Sequence, residues 1–342
     1  MNQLLIAVLI GNLILKVSGI QISFITWNVK DNKRFSTYTK DIVLKLLNLQ
    51  NTKNMPDLYA ITFQENCIDC GESRLERLSL PFINVLKSET GTVYEFLSIS
   101  ATRETNMCES MYCLSTGSMH GTTFMLILIK SPLQVSNIFQ ETINSGSNSF
   151  FSNKEKGITV VGLYINNEKL CFGGLHLDVG NIKYRQKAFY EILNKLDSKC
   201  DVTFFGGDFN TRPNGKSHPV PSYFEGGKNQ TYLNEMKVTD ELSGSQPFSG
   251  GVNLLTYIAQ KMGKQFIEPF NKSPSFKPTY SIESSFNCDD FPVCYEPDRF
   301  PSWTDRIIYW PASKVKCSEY SIVPSLAVLS DHIPVYANCQ TV

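Results

Sequence analysis

Six short segments of this 342-residue chain carry polar groups at the edge of an apolar run. FITWN closes on Asn28 and AITFQE on Glu65, while GGLHLD presents His176 and Asp178 and FFGGDFN ends in Asp208 and Asn210. Toward the C-terminus, Asp305 and Arg306 head the run IIYW, and Asp331 and His332 head IPVYA. Each group alone has a plainer reading, as a turn, a surface acid, a structural histidine or a structural ion pair. Their recurrence at the ends of apolar runs is what argues for a site. Two of the four histidines fall in these clusters; His120 and His218 have no such setting.

The chemistry that suits the set is metal-assisted hydrolysis of a phosphoester. A hard cation such as Mg²⁺ takes oxygen ligands, here expected from Glu65, Asp331 and the amide of Asn28. Asp208 is the candidate to orient and deprotonate a water for in-line attack. Asn210 and His176 are candidate donors to the phosphoryl oxygens as charge builds there. His332 can do the same if a carboxylate holds it protonated, and Asp305 is the candidate partner that raises its pKa. Arg306 then serves either Asp305 or the loop beside it.

The elements that must position these groups are mostly strands. ISFITWNV, LYAITFQE, VYEFLSIS, FMLILIK, ITVVGLYI, KLCFGGLHL, VTFFGGDFN, RIIYW, KCSEYSIV and IPVYANC are rich in β-branched and aromatic residues and bounded by turn formers. Apolar stripes at Ile42, Val43, Leu46 and Leu47, and at Ala188, Phe189, Ile192, Leu193 and Leu196, predict amphipathic helices, with a third over Leu254 to Met262. Many strands and few helices in mixed order imply an α/β fold, two stacked sheets with helices on their outer faces. Antiparallel neighbours would gather strand ends and strand starts on one rim. No break in composition divides residues 20–342, so one catalytic domain is expected.

Thirty-two basic and thirty-two acidic residues leave no net charge, so no surplus exists to track nucleic-acid phosphates, and no nucleic acid is expected as partner. Residues 1–19 read as a secretory signal: Leu4 to Leu15 is apolar apart from Gly11 and Asn12, and Val17-Ser18-Gly19 offers small residues for cleavage. The ten cysteines, with close spacings at Cys67/Cys70, Cys108/Cys113 and Cys288/Cys294, predict disulfides in an oxidising compartment. Cys171/Cys200 and Cys317/Cys339 would be the remaining pairs. Zinc is disfavoured because no histidine stands at ligand spacing nearby. Asn229 and Asn271 begin glycan-acceptor triplets.

The motifs ITWNV, PDLYAITFQE, GGLHLD, GGDFNTRP, PSWTDRIIYW and LSDHIPVY, in that order over residues 22–338, resemble the endonuclease/exonuclease/phosphatase superfamily. That resemblance implies a four-layer α/β/β/α sandwich. PSWTDRIIYW and SFKPTY, at 275–280, are similar to signatures of the inositol polyphosphate 5-phosphatases, and with the signal they point to a secreted, salivary-type member. The resemblance implies Mg²⁺-dependent removal of the 5-phosphate from inositol phosphates, phosphoinositide lipids or both; a monomer is expected. It assigns metal to Asn28 and Glu65, water activation and phosphate holding to Asp208 and Asn210, phosphate contact to His176, and pairing with His332 to Asp305.

The chain departs from the family pattern where a lysine follows Pro-Thr-Tyr; here it is Ser281. Pro297 stands where a second lysine is common, so contact with the 4-phosphate would rest on Tyr280 and Arg299. An absent lysine removes a charge-assisted hydrogen bond worth about 1.5–3 kcal/mol. Thr211 replaces an aromatic, while Arg212 is retained. NKEKG resembles the family's Asn-Lys-Gly loop with extra residues, so Asn153 and Lys154, or alternatively Lys156, would meet the 1-phosphate. Phe150 and Phe151 before it would either pack under the loop or make transient contact with a membrane surface. The rival readings are a secreted deoxyribonuclease-like nuclease or sphingomyelinase, and a non-catalytic inositol-phosphate-binding protein.

Overall fold

The computed structural model describes residues 19–30, 39–49, 55–66, 72–102, 122–144, 156–213, 230–244, 252–271, 273–283, 294–296 and 299–342. Strands β1 (Gln21–Asn28), β2 (Leu58–Asn66), β3 (Tyr94–Ala101) and β4 (Thr122–Lys130) join β10 (Val315–Ile322) and β11 (Val335–Thr341) in one sheet, ordered β10-β11-β1-β2-β4-β3. The second sheet runs β5-β6-β7-β8-β9: Val135–Asn144, Gly157–Ile165, Glu168–His176, Val202–Asp208 and Asp305–Trp310. Pairs β1–β2 and β7–β8 are parallel; the other neighbours are antiparallel.

A parallel pair needs a crossover, and here a helix supplies each one. Helix α1 (Lys40–Leu46) links β1 to β2, and α3 (Ile182–Lys195) links β7 to β8. Asn181 caps α3 by accepting from Lys183 N at 2.9 Å, satisfying one of the free amides of the first turn. The remaining helices are α2 (Glu72–Thr90), α4 (Gln230–Val238) and α5 (Leu254–Met262).

Strand alternation sorts the core into three layers. Ile22, Phe24, Ala60, Ile127, Phe172, Phe204 and Ile307 fill the space between the sheets. Ile25, Trp27, Tyr59, Ile61 and Phe63, on the other face of the first sheet, meet Val43, Leu46, Phe82 and Leu86 of α1 and α2. Val160, Leu175, Phe205 and Ile308 of the second sheet meet Phe189, Ile192, Leu193 and Ile258 of α3 and α5. The four-layer sandwich expected from the sequence is thus the observed architecture.

The three expected helices form, and α2 joins them although Pro81 interrupts its apolar pattern. Strand β5 lacks the apolar character that marks the other strands because it is an edge, with much of it outside the core. The disulfides Cys171–Cys200 and Cys317–Cys339 form as expected, and Cys294 is also disulfide-bonded. Cys67, Cys70, Cys108, Cys113, Cys288 and Asn229 lie outside the described residues, as do residues 1–18. No helix among the described residues is long and apolar enough to cross a membrane.

Candidate active site

The sandwich closes at one rim, and the register of its strands brings the polar residues to it. His176 pairs with Asp208 across β7–β8, and Asp208 pairs with Asp305 across β8–β9, so three functional side chains form one row. Asp208 has the parity of Phe204, and Asn28 that of Phe24, so both lie on the inter-sheet face. Glu65 is different. It has the parity of Tyr59, Ile61 and Phe63, which face the helices. A bulge after Phe63 and a left-handed φ of 55° at Glu65 re-aim the side chain toward the rim.

Asp208 Oδ2 is the hub. It accepts from Asn28 Nδ2 at 3.0 Å and lies 3.5 Å from His176 Nε2 and 4.0 Å from His332 Nε2. Its other oxygen accepts from Asn210 N at 2.8 Å, and Asn210 Nδ2 donates to Leu177 O at 2.9 Å. Burial opposes charge on Asp208, yet His332, His176 and Lys156 around it hold the carboxyl below its usual value. Glu65 Oε1 is 3.3 Å from Asn28 Nδ2 and 3.5 Å from His176 Nε2, with its side chain 31% exposed. Burial, reinforced by Lys156, pushes His176 down to about 3, so this ring is neutral.

The second histidine is built to be charged. His332 Nδ1 meets Asp305 Oδ2 at 2.8 Å, and the hydroxyls of Thr279 and Thr304 donate to that oxygen at 2.7 and 3.0 Å. Burial would lower the imidazole, but Asp305 outweighs it, with Asp331 and Asp208 adding, and pushes it up to about 10. Burial acts the other way on Asp305 and raises its carboxyl, although His332 pulls it down. The Asp305–His332 partnership is therefore as expected.

Beside His332 lies a basic wall. The Tyr280 ring lies 4.6 Å from the His332 ring at a tilt of 39°, Arg299 Nη1 donates to the Tyr280 hydroxyl at 2.6 Å, and the Arg212 guanidinium lies 4.8 Å over the Tyr280 ring. The candidates Tyr280, Arg299 and Arg212 are thus brought together. Lys30, which the motif reading missed, joins them. Its Nζ is 3.0 Å from Asp331 Oδ2, and its N–H donates to Asn28 Oδ1 at 3.1 Å. Its only sequence signal is its place two residues beyond Asn28.

Of the two readings of Arg306 the structure favours the loop over Asp305, and the substrate contact also offered for it by its motif is not seen. The side chain lies on the opposite face of β9, fully buried, and its Nη1 donates to Trp303 O at 3.3 Å. There its guanidinium pairs with both oxygens of Glu268, with Asp240 Oδ1 at 3.1 Å and with Ser243 Oγ at 3.0 Å. Successive residues in a strand point apart, which separates it from Asp305. Asp331 Oδ2 is paired with Lys30 and lies 3.8 Å from Arg299 Nη1, while its Oδ1 is buried without a hydrogen-bond partner and stays open to a metal. Asn153, Lys154, Phe150, Phe151 and Pro297 lie outside the described residues, whereas Lys156 is at the site, 2.8 Å from His176 Nε2.

A hard cation fits the donors present. Mg²⁺ is usually held by one or two carboxylates, with water completing its shell. Glu65, partly exposed at the rim, provides such a start; Asn28 meets it through Nδ2, while its oxygen, the atom that would ligate, accepts from Lys30 N. Among the described residues no cluster of three or more His, Cys, Asp or Glu side chains offers a closed cage.

Residues 25–338 match the family described as Endonuclease/Exonuclease/phosphatase family 2. The polyphosphatidylinositol phosphatase INP53 of Saccharomyces cerevisiae is 29% identical over 191 residues, 53% of this chain and 15% of that protein, so the chain spans a small part of that relative's length. Among solved structures, the 5-phosphatase domain of SPsynaptojanin, bound to inositol (1,4)-bisphosphate and calcium, has a TM-score of 0.66 and 20% identity, covering 94% of this chain and 86% of that one. A Cimex nitrophorin in its ferrous NO complex has a TM-score of 0.64 and 17% identity, covering 95% and 99%. At these identities the structures establish the fold alone.

Proposed function

The chain belongs to the endonuclease/exonuclease/phosphatase family, and from that premise we propose that it is a secreted, Mg²⁺-dependent phosphatase that removes the 5-phosphate from inositol phosphates or phosphoinositide lipids. The observation that carries this is the setting of Asp208. Its carboxylate is ionised, buried, and shared by Asn28 from one sheet and the two histidines beside it. Such a group can take a proton from water and hand it on.

In the reaction, water oxygen bonds to phosphorus while the bond to the ring oxygen breaks. Asp208 takes the water's proton, and the departing ring oxygen is protonated from solvent. Neutral His176 and the Asn210 amide donate to the phosphoryl oxygens, and the His332 imidazolium stabilises the charge that gathers there. Glu65 and Asn28 would hold Mg²⁺, which when bound polarises the phosphoryl group. The inositol substrate class is supported by the sequence similarity to the yeast polyphosphatidylinositol phosphatase. Secretion is supported by the two disulfides and the apolar N-terminal run.

The nitrophorin likeness shows that this fold does not by itself imply hydrolysis. The retained Asp208–His332–Asp305 arrangement favours an enzyme over a binding protein. Phosphate release from inositol 1,4,5-trisphosphate and phosphatidylinositol 4,5-bisphosphate, and nicking of plasmid DNA, are to be measured with Mg²⁺ and with chelator. Mg²⁺-dependent release, intact DNA, and a loss of at least ~10²-fold in Asp208→Asn are expected. Nicked DNA with untouched inositides makes the chain a nuclease; binding without turnover makes it a carrier.

A further inference from the structure

Lys156 has no task in the reaction just described, yet it reaches the row of groups that performs it. Its Nζ is 2.8 Å from His176 Nε2, and that nitrogen is 3.5 Å from both Glu65 Oε1 and Asp208 Oδ2. The sheet dictates this placement. Gly157 stands opposite His176 in the β6–β7 register, so the preceding residue enters the sheet at the level of the imidazole. A Cβ on Gly157 would meet Ile143 O at 2.2 Å, so β5 lies tight against the backbone there and fixes where the chain enters.

The charge balance gives that placement a purpose. Asp208 and Glu65 put carboxylates beside His176, whereas the basic wall of Lys30, Arg299 and Arg212 stands beside His332, which Asp305 offsets. Lys156 makes its short contact with a ring nitrogen rather than a carboxylate, so its charge is available to an anion. The resting contact also has a cost. A lysine that donates to Nε2 leaves the imidazole hydrogen on Nδ1, which is buried without a partner, and an unmade hydrogen bond at a buried donor is unfavourable. A phosphoryl oxygen that accepts from Lys156 instead releases Nε2 to carry the hydrogen and donate as well.

We propose that Lys156 is a catalytic residue whose ammonium donates a hydrogen bond to a non-bridging oxygen of the phosphoryl group under attack. The inference rests on the hydrolase reading of the site, and it differs from the role that sequence resemblance suggests, contact with a remote 1-phosphate. Lys156 forms and breaks no covalent bond and keeps its protons. Its contribution is to the charge on the transferring group, so it applies to every substrate, whichever other phosphates that substrate carries.

The test uses two soluble substrates that differ only in the remote group, inositol 1,4,5-trisphosphate and inositol 4,5-bisphosphate. Wild type, Lys156→Met and Lys156→Arg are assayed with Mg²⁺ after circular dichroism establishes that each is folded. Lys156→Met is expected to lower kcat at least ~10-fold on both substrates with little change in KM, and Lys156→Arg to recover part of the loss. A KM increase confined to the trisphosphate, with kcat kept, overturns the proposal and returns Lys156 to the remote phosphate. Unchanged kinetics on both substrates overturn it too. Wild type inert on both substrates sinks the hydrolase reading separately. Calorimetry with inorganic phosphate then decides: binding weakened at least ~10-fold in Lys156→Met retains an anion contact at the same atoms, and equal binding removes it.

Discussion

Two histidines in one site carry opposite charge states, and their neighbours explain why. His176 is buried beside Lys156 and stays neutral; His332 is equally buried but faces Asp305. Asp305→Asn keeps the shape of that contact and removes its charge. In wild type the His332 ring, followed by NMR, is expected to titrate near 10, whereas in the variant burial is opposed only by Asp331 and Asp208 and the ring titrates lower. Turnover at neutral pH should drop by at least ~10² and improve on acidification. The linkage has a definite sign. Stability from the raised ring is full below the ordinary value of ~6.5 and is lost as pH rises through about 10. A wild-type ring that titrates near its ordinary value would refute this. At this scale the sequence was informative about residue type: Asp208, Asp305 and both histidines are where their motifs suggested. Glu65 was legible as a candidate but not in how it arrives, because strand parity points it at the helices and only a bulge with positive φ brings it back. Lys30 was not legible, since a lysine after a strand is ordinary until Asp331 is seen beside it.

A strand settles what the adjacent letters Asp-Arg leave open. β9 sends Asp305 to the inter-sheet face and Arg306 away from it, where Glu268, Asp240 and Ser243 surround the guanidinium and Tyr320 Oη donates to Glu268 at 3.2 Å. A strand was legible in the apolar run IIYW, and successive strand residues point apart, so the separation could have been read; the nearness of two opposite charges in sequence concealed it. Their partners could not be read, because Asp240 and Glu268 lie 66 and 38 residues away. Removing one partner of a buried charge network leaves the others uncompensated, which costs about 3–5 kcal/mol. Arg306→Met should therefore lower the urea midpoint by that equivalent while the folded fraction keeps its turnover per molecule. Loss of activity without loss of stability would return Arg306 to the site. The same element-level reasoning explains which helices were legible. α1, α3 and α5 show clean apolar stripes, whereas Pro81 breaks the pattern of α2.

On the scale of the whole molecule, the four layers follow from alternating strands and one-sided helices, and these were legible. How closely the two sheets approach was not, because it depends on which residues face each other across the gap. Two glycines set it near the rim, each two residues before a member of the row. A Cβ on Gly206 would meet the Phe24 ring at 2.3 Å, and one on Gly174 would meet Thr62 Oγ1 at 2.3 Å. The site straddles the same gap, with Asn28 on one sheet held 3.0 Å from Asp208 on the other. Gly206→Ala should push the sheets apart at that point. Overpacking of this kind costs about 1–3 kcal/mol of stability, but a shift of ~1 Å between reacting groups can cost ~10²-fold in rate. Gly263→Ala provides the comparison: that glycine caps α5 with a φ of 63° and open space around it, so alanine strains the backbone without touching the gap. Both variants should melt earlier than wild type. Only Gly206→Ala should lose kcat, and if the two retain equal turnover when folded, sheet spacing does not govern the site.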